Sequence, residues 1–184
     1  MHQINKSDEF INYLIINYSN QAYKSSGKAY DYIKNELQII QNYLCAYTEL
    51  DLSSSGEIEH WDSKIKHTDG YNPYNIFYAS AGTNRNKGTK TIYKLKPNTD
   101  SVNLICFNTD SFEYEPNFEN FDKEICQDII NLGINETSLK RNRRNKLSKY
   151  KERITKENNI SDPDFKDFPT AVKVIQAEFQ KTQN

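Results

Sequence analysis

Apolar positions recur along this chain at two periods, which set helical ends apart from a middle built of short strands. Residues 28–45 carry the clearest helical pattern: Tyr30, Ile33, Leu37, Ile40 and Leu44 fall at 3-4-3-4 spacing and form one stripe, suited to packing within the domain or against a partner. A shorter helix is expected over 7–18, with Ser7 as its N-cap. Ser25-Ser26-Gly27 separates the two. After the loop at 52–56, residues 58–61 read as a short strand and 65–75 as turns. Residues 75–81 are expected to open a helix that the glycine-containing stretch 82–88 interrupts. Two strands are expected at 91–95 and 102–107, joined into a hairpin by Pro97-Asn98-Thr99-Asp100.

The remainder reads as helical. A helix over 121–132 should end at Gly133, and Asn135 should cap the next, over 136–157. Asn158-Asn159 stops that helix, and Pro163 and Pro169 bracket a linker. A last amphipathic helix over about 169–181 places Val172, Ile175 and Phe179 on one face. The expected class is α+β. Helical segments 1–45 and 111–184 flank a central unit at 46–110.

Composition adds limits to this pattern. The chain has 184 residues, 36% hydrophobic and 27% charged, with 13 Tyr and 9 Phe, so aromatic rings supply much of the expected core. A net charge of -1 gives no global attraction to nucleic acid. Local charge differs: Lys140, Arg141, Arg143, Arg144, Lys146, Lys149, Lys151, Arg153 and Lys156 share a segment whose sole acid is Glu152. That segment is either a solvated helix face or a phosphate-contacting one, with Arg143, Arg144 and Lys146 as candidate DNA contacts. Cys45, Cys106 and Cys126 are odd in number and scattered, which does not suit a disulfide framework. No apolar leader or membrane-length run is present, so a cytoplasmic setting is expected.

The candidate chemistry sits in 57–88. Glu59-His60 is an acid–imidazole pair; Asn75 follows fifteen positions after His60, Asn84 nine further on, and then Lys87-Gly88. Phosphodiester hydrolysis needs a base to activate water, a cation to offset charge on the transition state, and a device that orients the base. His60 has the right unperturbed pKa for the base. Glu59 is a hard oxygen ligand for Mg²⁺ or Mn²⁺, and Asn84 a second oxygen donor. On a flat strand, however, Glu59 and His60 would leave opposite faces, which would count against their meeting at one metal. Lys87, and with it Arg85, is placed to meet a phosphate. The plain alternative is that these are ordinary loop residues of an Asn-rich chain. His67 reads as solvent-exposed.

Acid-His, a middle Asn and a final Asn at this spacing resemble the HNH nuclease superfamily and its ββα-metal site. The flanks resemble one group within it, the HNH nuclease subunits of Septu-type anti-phage systems and related retron-associated systems. Residues 43–49, Tyr-Leu-Cys-Ala-Tyr-Thr-Glu, resemble that group's Cys-x-Tyr-Cys-Glu, and Ile58-Glu59-His60-Trp61-Asp62-Ser63-Lys64 its Ile-Glu-His-Phe-x-Pro-Lys. The stretch 129–141 resembles its Ile-x-x-Leu-x-Leu-Asn segment and the leucine and arginine beyond it. The resemblance covers roughly 28–145.

It implies a ββα-metal core surrounded by helices. It also implies a metal-dependent DNA endonuclease with one Mg²⁺ or Mn²⁺, His60 as general base, Asn75 fixing the loop that orients it, Glu59 and Asn84 on the metal, and an ABC/SMC-like ATPase as partner. The group's structural zinc uses two Cys-x-x-Cys pairs. The corresponding positions here are Cys45 and Thr48, then Ser80 and Thr83, so one thiolate of four remains and no structural zinc is expected. Hydrogen bonds among Thr48, Ser80 and Thr83, and packing of Tyr47, Trp61, Phe77 and Tyr78, are the candidate substitutes. Two other readings stay open: a catalytically weak HNH-derived binding or scaffold subunit regulating the ATPase, and a standalone nuclease of mobile DNA.

Overall fold

A computed structural model of the chain describes residues 4–97, 103–117, 119, 122–157 and 165–183. The architecture is α+β: α1 (Asp8–Tyr18), α2 (Lys28–Ile40), β1 (Glu57–His60), a 3-10 turn (Ser63–His67), β2 (Ile76–Ala79), α3 (Ala81–Lys87), β3 (Ile105–Asn108), β4 (Glu113–Pro116), α4 (Lys123–Leu132), α5 (Thr137–Glu157) and α6 (Pro169–Gln183). The strands form two separate antiparallel pairs, β1 with β2 and β3 with β4. One core cluster runs from Ile4 near the N-terminus to Ile175 in α6, drawing on all three expected segments.

The helical ends follow the apolar pattern. Ser7 caps α1 by accepting from the Phe10 N–H. The α2 stripe packs inward, with Ile33 and Leu37 fully buried. That helix stops five residues before the expected end. Asn42 and Tyr43 take positive φ, and Gln41 turns its amide onto the edge of β2. Gln41 Oε1 accepts from the Tyr78 N–H at 2.8 Å, and Nε2 donates to the Tyr78 carbonyl at 2.8 Å. A side chain thus does the work of a third strand, and this requires the chain to leave the helix there. Gly133 ends α4 in the left-handed region, donating to the Ile129 and Ile130 carbonyls. Any side chain at 133 would also meet Asn86, since a Cβ would stand 2.2 Å from its Nδ2.

The middle departs from the expectation in three places. Residues 76–79 form β2 rather than a helix start; four buried apolar residues suit either, and pairing with β1 decides it. The stretch 82–88, read as an interruption, is the body of α3, capped by Ser80 at its start and by Gly88 (φ 51°) at its end. Residues 91–95 make no strand. The N–H groups of Tyr93, Lys94 and Leu95 are taken by the buried Asp128 carboxylate at 2.6–3.0 Å. The hairpin forms instead between β3 and β4, in register Ile105↔Pro116 through Asn108↔Glu113. The expected turn at 98–100, Val102, and the stops at Asn158-Asn159 and Pro163 lie outside the described residues.

Asn135 does not cap α5. Its amide clamps Tyr114 on β4, accepting from the N–H at 3.0 Å and donating to the carbonyl at 2.7 Å. Glu49 ties the start of α6 to the core: it accepts from the Thr170 N–H at 3.0 Å and from the Tyr114 hydroxyl at 3.0 Å. Among the described residues no helix is long and apolar enough to cross a membrane.

Candidate active site

The motif residues fall on a strand, a strand and a helix in succession. β1 carries Glu59 and His60; its partner β2 begins one residue after Asn75; α3 carries Asn84, Arg85 and Lys87. β1 is regular, pairing Glu59 with Phe77 and His60 with Ile76, so the two side chains do leave opposite faces.

His60 points to the side of the segment joining α1 to α2. It is 4% exposed, and its ring packs edge-on against Tyr23, with centroids 4.6 Å apart. Nε2 lies 2.7 Å from the Gly70 carbonyl oxygen. A carbonyl only accepts, so the neutral ring carries its hydrogen on Nε2 and keeps the lone pair on Nδ1. Burial pushes the imidazole pKa down from 6.5 to about 4; the Gly70 contact opposes this, and the charges of Lys66 and Lys87 reinforce it. Gly70 is required where it stands. A Cβ there would be 2.3 Å from the Tyr23 backbone nitrogen, and the Gly70 N–H donates to Gln21.

Asn75 holds the backbone beside His60. Its Oδ1 accepts from the Asp62 N–H at 2.7 Å, its Nδ2 donates to the Asp62 carbonyl at 2.9 Å, and its own carbonyl accepts from the Trp61 N–H at 2.8 Å. Three bonds on two consecutive residues fix the exit of β1.

Glu59 turns the other way, into the interior. Its Oε1 meets Lys87 Nζ at 2.8 Å and its Oε2 accepts from the Tyr47 hydroxyl at 2.7 Å. Lys87 Nζ also donates to the His60 carbonyl at 2.6 Å. Glu59 is 1% exposed and Lys87 2%. Burial raises the Glu59 carboxyl above its ordinary range, and Lys87 and Tyr47 draw it part of the way back. Tyr47 is held well above its ordinary value, by burial first and the Glu59 charge second, so it remains a donor. Tyr47, Tyr23 and Gly70 were not among the expected site residues. The pairing of Asp69 with Gly70 marks a turn, but nothing in its spacing points to a histidine ten residues earlier.

A divalent ion bound as the resemblance implies would take Glu59 and Asn84. As folded, Glu59 Oε1 faces the Lys87 ammonium at ion-pair distance, Oε2 accepts from the Tyr47 hydroxyl, and Asn84 Nδ2 donates to Glu57 Oε2 at 2.9 Å nearer the surface. Among the described residues no three His, Cys, Asp or Glu side chains gather around a point. The donor set in this arrangement does not fit a divalent ion.

The four positions aligned with zinc ligands are partly assembled. Cys45 Sγ lies 3.4 Å from the Ser80 nitrogen and 4.0 Å from Thr83 Oγ1. Ser80 Oγ donates to Thr83 Oγ1 at 2.8 Å and accepts from the Thr83 N–H at 3.1 Å. Thr48 Oγ1 is buried without a partner, so it does not join the expected hydrogen-bond set. Hydroxyls bonded to one another, with one thiol among them, make a poor zinc donor set. Tyr47, Phe77 and Tyr78 are buried core residues and Trp61 partly so.

The basic segment requires correction. Arg143 is fully buried rather than phosphate-facing. It donates to the Phe112 and Ile134 carbonyls at 2.9 and 2.7 Å, and its guanidinium lies over the Tyr114 ring at 4.6 Å and the Phe168 ring at 5.5 Å. Lys146 pairs with Asp167 at 2.6 Å and Lys140 with Glu113 at 2.5 Å. Arg144 is exposed and lies over Phe112; Arg141, Lys149, Lys156 and Arg85 are exposed as well, and so is His67, as expected.

Comparison of the chain with protein-family models, with curated proteins and with solved structures finds no match.

Proposed function

We propose that this chain is an HNH-type endonuclease subunit that hydrolyses DNA phosphodiester bonds, with His60 as the general base. The observation that carries this reading is the way His60 is held. Its Nε2 is committed to the Gly70 carbonyl, which leaves Nδ1 as the proton acceptor, while Asn75 fixes the backbone beside it. A base needs one orientation and one free lone pair, and this arrangement supplies both. The strand–strand–helix order and the approach of Cys45, Ser80 and Thr83 also support a ββα-metal ancestry, because residues far apart in sequence meet where the resemblance aligns ligands. The exposed cations of α5 offer a surface for the phosphate backbone. On the resemblance, the setting is a cytoplasmic anti-phage complex with an ABC/SMC-like ATPase.

A second reading has its own observation. Lys87 and Tyr47 occupy Glu59, and a pKa near 4 makes His60 a weaker base than a free imidazole. Those features favour a catalytically weak scaffold that regulates the ATPase. Cleavage of plasmid DNA in Mg²⁺ or Mn²⁺, by wild type and His60→Ala, each with and without co-expressed ATPase, separates the two. The nuclease reading expects cutting that is lost in His60→Ala. The scaffold reading expects no cutting by either, with ATPase turnover altered by the subunit's presence.

A further inference from the structure

We propose that the cleft between the exit of β1 and residues 89–92 is a binding site for a phosphate-type oxyanion, with the Trp61 indole N–H as its buried donor and Lys64 and Lys90 supplying the charge. The inference rests on none of the His60 chemistry.

The cleft has a volume of about 90 Å³. Trp61, Asp62, Ser63 and Lys64 form one wall, and Thr89, Lys90, Thr91 and Ile92 the other. Each wall is tied to the core independently. Asn75 clamps the Asp62 backbone and takes the Trp61 N–H. On the far side, Asn131 of α4 donates to the Thr91 carbonyl, and Asp128 accepts from the Tyr93 N–H. The opening is thus held by the fold and needs no rearrangement to receive a small ligand.

The Trp61 indole nitrogen is buried and has no hydrogen-bond partner among the described residues. An indole N–H only donates, so what answers it must be an acceptor. One face of the ring is covered by the Lys96 ammonium, 4.7 Å from its centroid. Lys64 and Lys90 are exposed, and among the described residues no acid pairs with either. Asp62 is the one acid of the lining, and its Oδ1 accepts from the Lys64 N–H. Ser63, Thr89 and Thr91 add hydroxyls. Donors in excess, two cations and a small volume select a compact oxyanion, with the rest of any ester left outside.

Trp61 is the chain's only tryptophan, so its indole N–H gives a single resonance. The test follows that resonance in the ¹⁵N-labelled full chain at constant ionic strength. The titrants are inorganic phosphate, thymidine monophosphate, a thymidine dinucleotide whose one phosphate is a diester, and sodium chloride. A saturable downfield shift is expected with a phosphate compound, at a concentration on the order of millimolar or below, and none with chloride. Lys64→Gln, an exposed change that leaves the fold intact, should weaken binding about tenfold. A response to the dinucleotide identifies a nucleic-acid backbone; a response confined to the other two identifies a free phosphate compound. No saturable shift with any phosphate compound, or the same curve in Lys64→Gln, would overturn the proposal. The readout is binding, so the result is independent of whether His60 cuts DNA.

Discussion

Replacing Lys87 with methionine keeps most of the side-chain volume and removes the charge bound to Glu59. Both groups are almost wholly buried, with side-chain exposures of 2% and 0%, so water cannot take over. Breaking a buried ion pair by deleting one partner typically costs about 3–5 kcal/mol, because the remaining charge is stranded. For a chain of this size that is a fall in Tm of roughly 6–20 °C, at about 2–4 °C per kcal/mol. Tyr47 limits the damage by continuing to donate to Glu59, and the carboxyl can protonate, which points toward the lower half of the range. Glu59→Gln should also destabilise, since it strands the ammonium. The double variant should lose less than the sum, with a coupling of about 1.5–3 kcal/mol. Urea unfolding of the four proteins at pH 7 closes the cycle. A Lys87→Met loss of under about 1 kcal/mol, the value of an exposed pair, would refute the buried bridge.

Three further outcomes are expected. The His60 imidazole titrates near 6.5 in the unfolded chain and about 4 in the fold, so between those values the unfolded state binds more protons. Stability from this group is complete above pH 6.5 and falls as the pH drops toward 4, by roughly 3 kcal/mol at about 1.4 per unit; urea melts of His60→Gln should lack that slope, and parallel slopes would refute it. Changing Thr48, Ser80 and Thr83 together to cysteine should create a tetrahedral thiolate site with Cys45, read by the Co²⁺ absorption spectrum and a rise in Tm with Zn²⁺; a featureless spectrum would mean that the four positions do not converge. Arg143→Met should cost about 3–5 kcal/mol of stability, whereas Arg144→Ala should leave stability within about 0.5 kcal/mol and lower the salt dependence of DNA binding; the reverse pattern would restore Arg143 to the surface.

The helices were legible because their apolar stripes repeat over several turns and their ends carry the right residues: Ser7, Gly133 and Pro169. Spacing placed Glu59, His60 and Asn75 in one neighbourhood, but the β1–β2 hairpin and the helix α3 that carry the motif were not read from it, and Glu59 and Asn84 do not meet. What spacing could not show was which side chain answers which. Gln41 mimics a strand, Asp128 gathers three N–H groups from 93–95, and Lys87 crosses to Glu59; each is a contact between residues at least 28 positions apart. β2 was misread because four apolar residues have no period long enough to choose between helix and strand. The basic run misled in the opposite sense: a charged residue read as surface, Arg143, is buried because two aromatic rings and two carbonyls receive its guanidinium.

The most direct measurement is a time course of supercoiled plasmid cleavage by the chain, alone and with a co-expressed ABC/SMC-like ATPase, comparing wild type with His60→Ala in the absence and presence of imidazole. The account predicts cutting by wild type, none by His60→Ala, and partial recovery when imidazole supplies the missing base. Equal cutting by both proteins, or none by wild type in any condition, would contradict it.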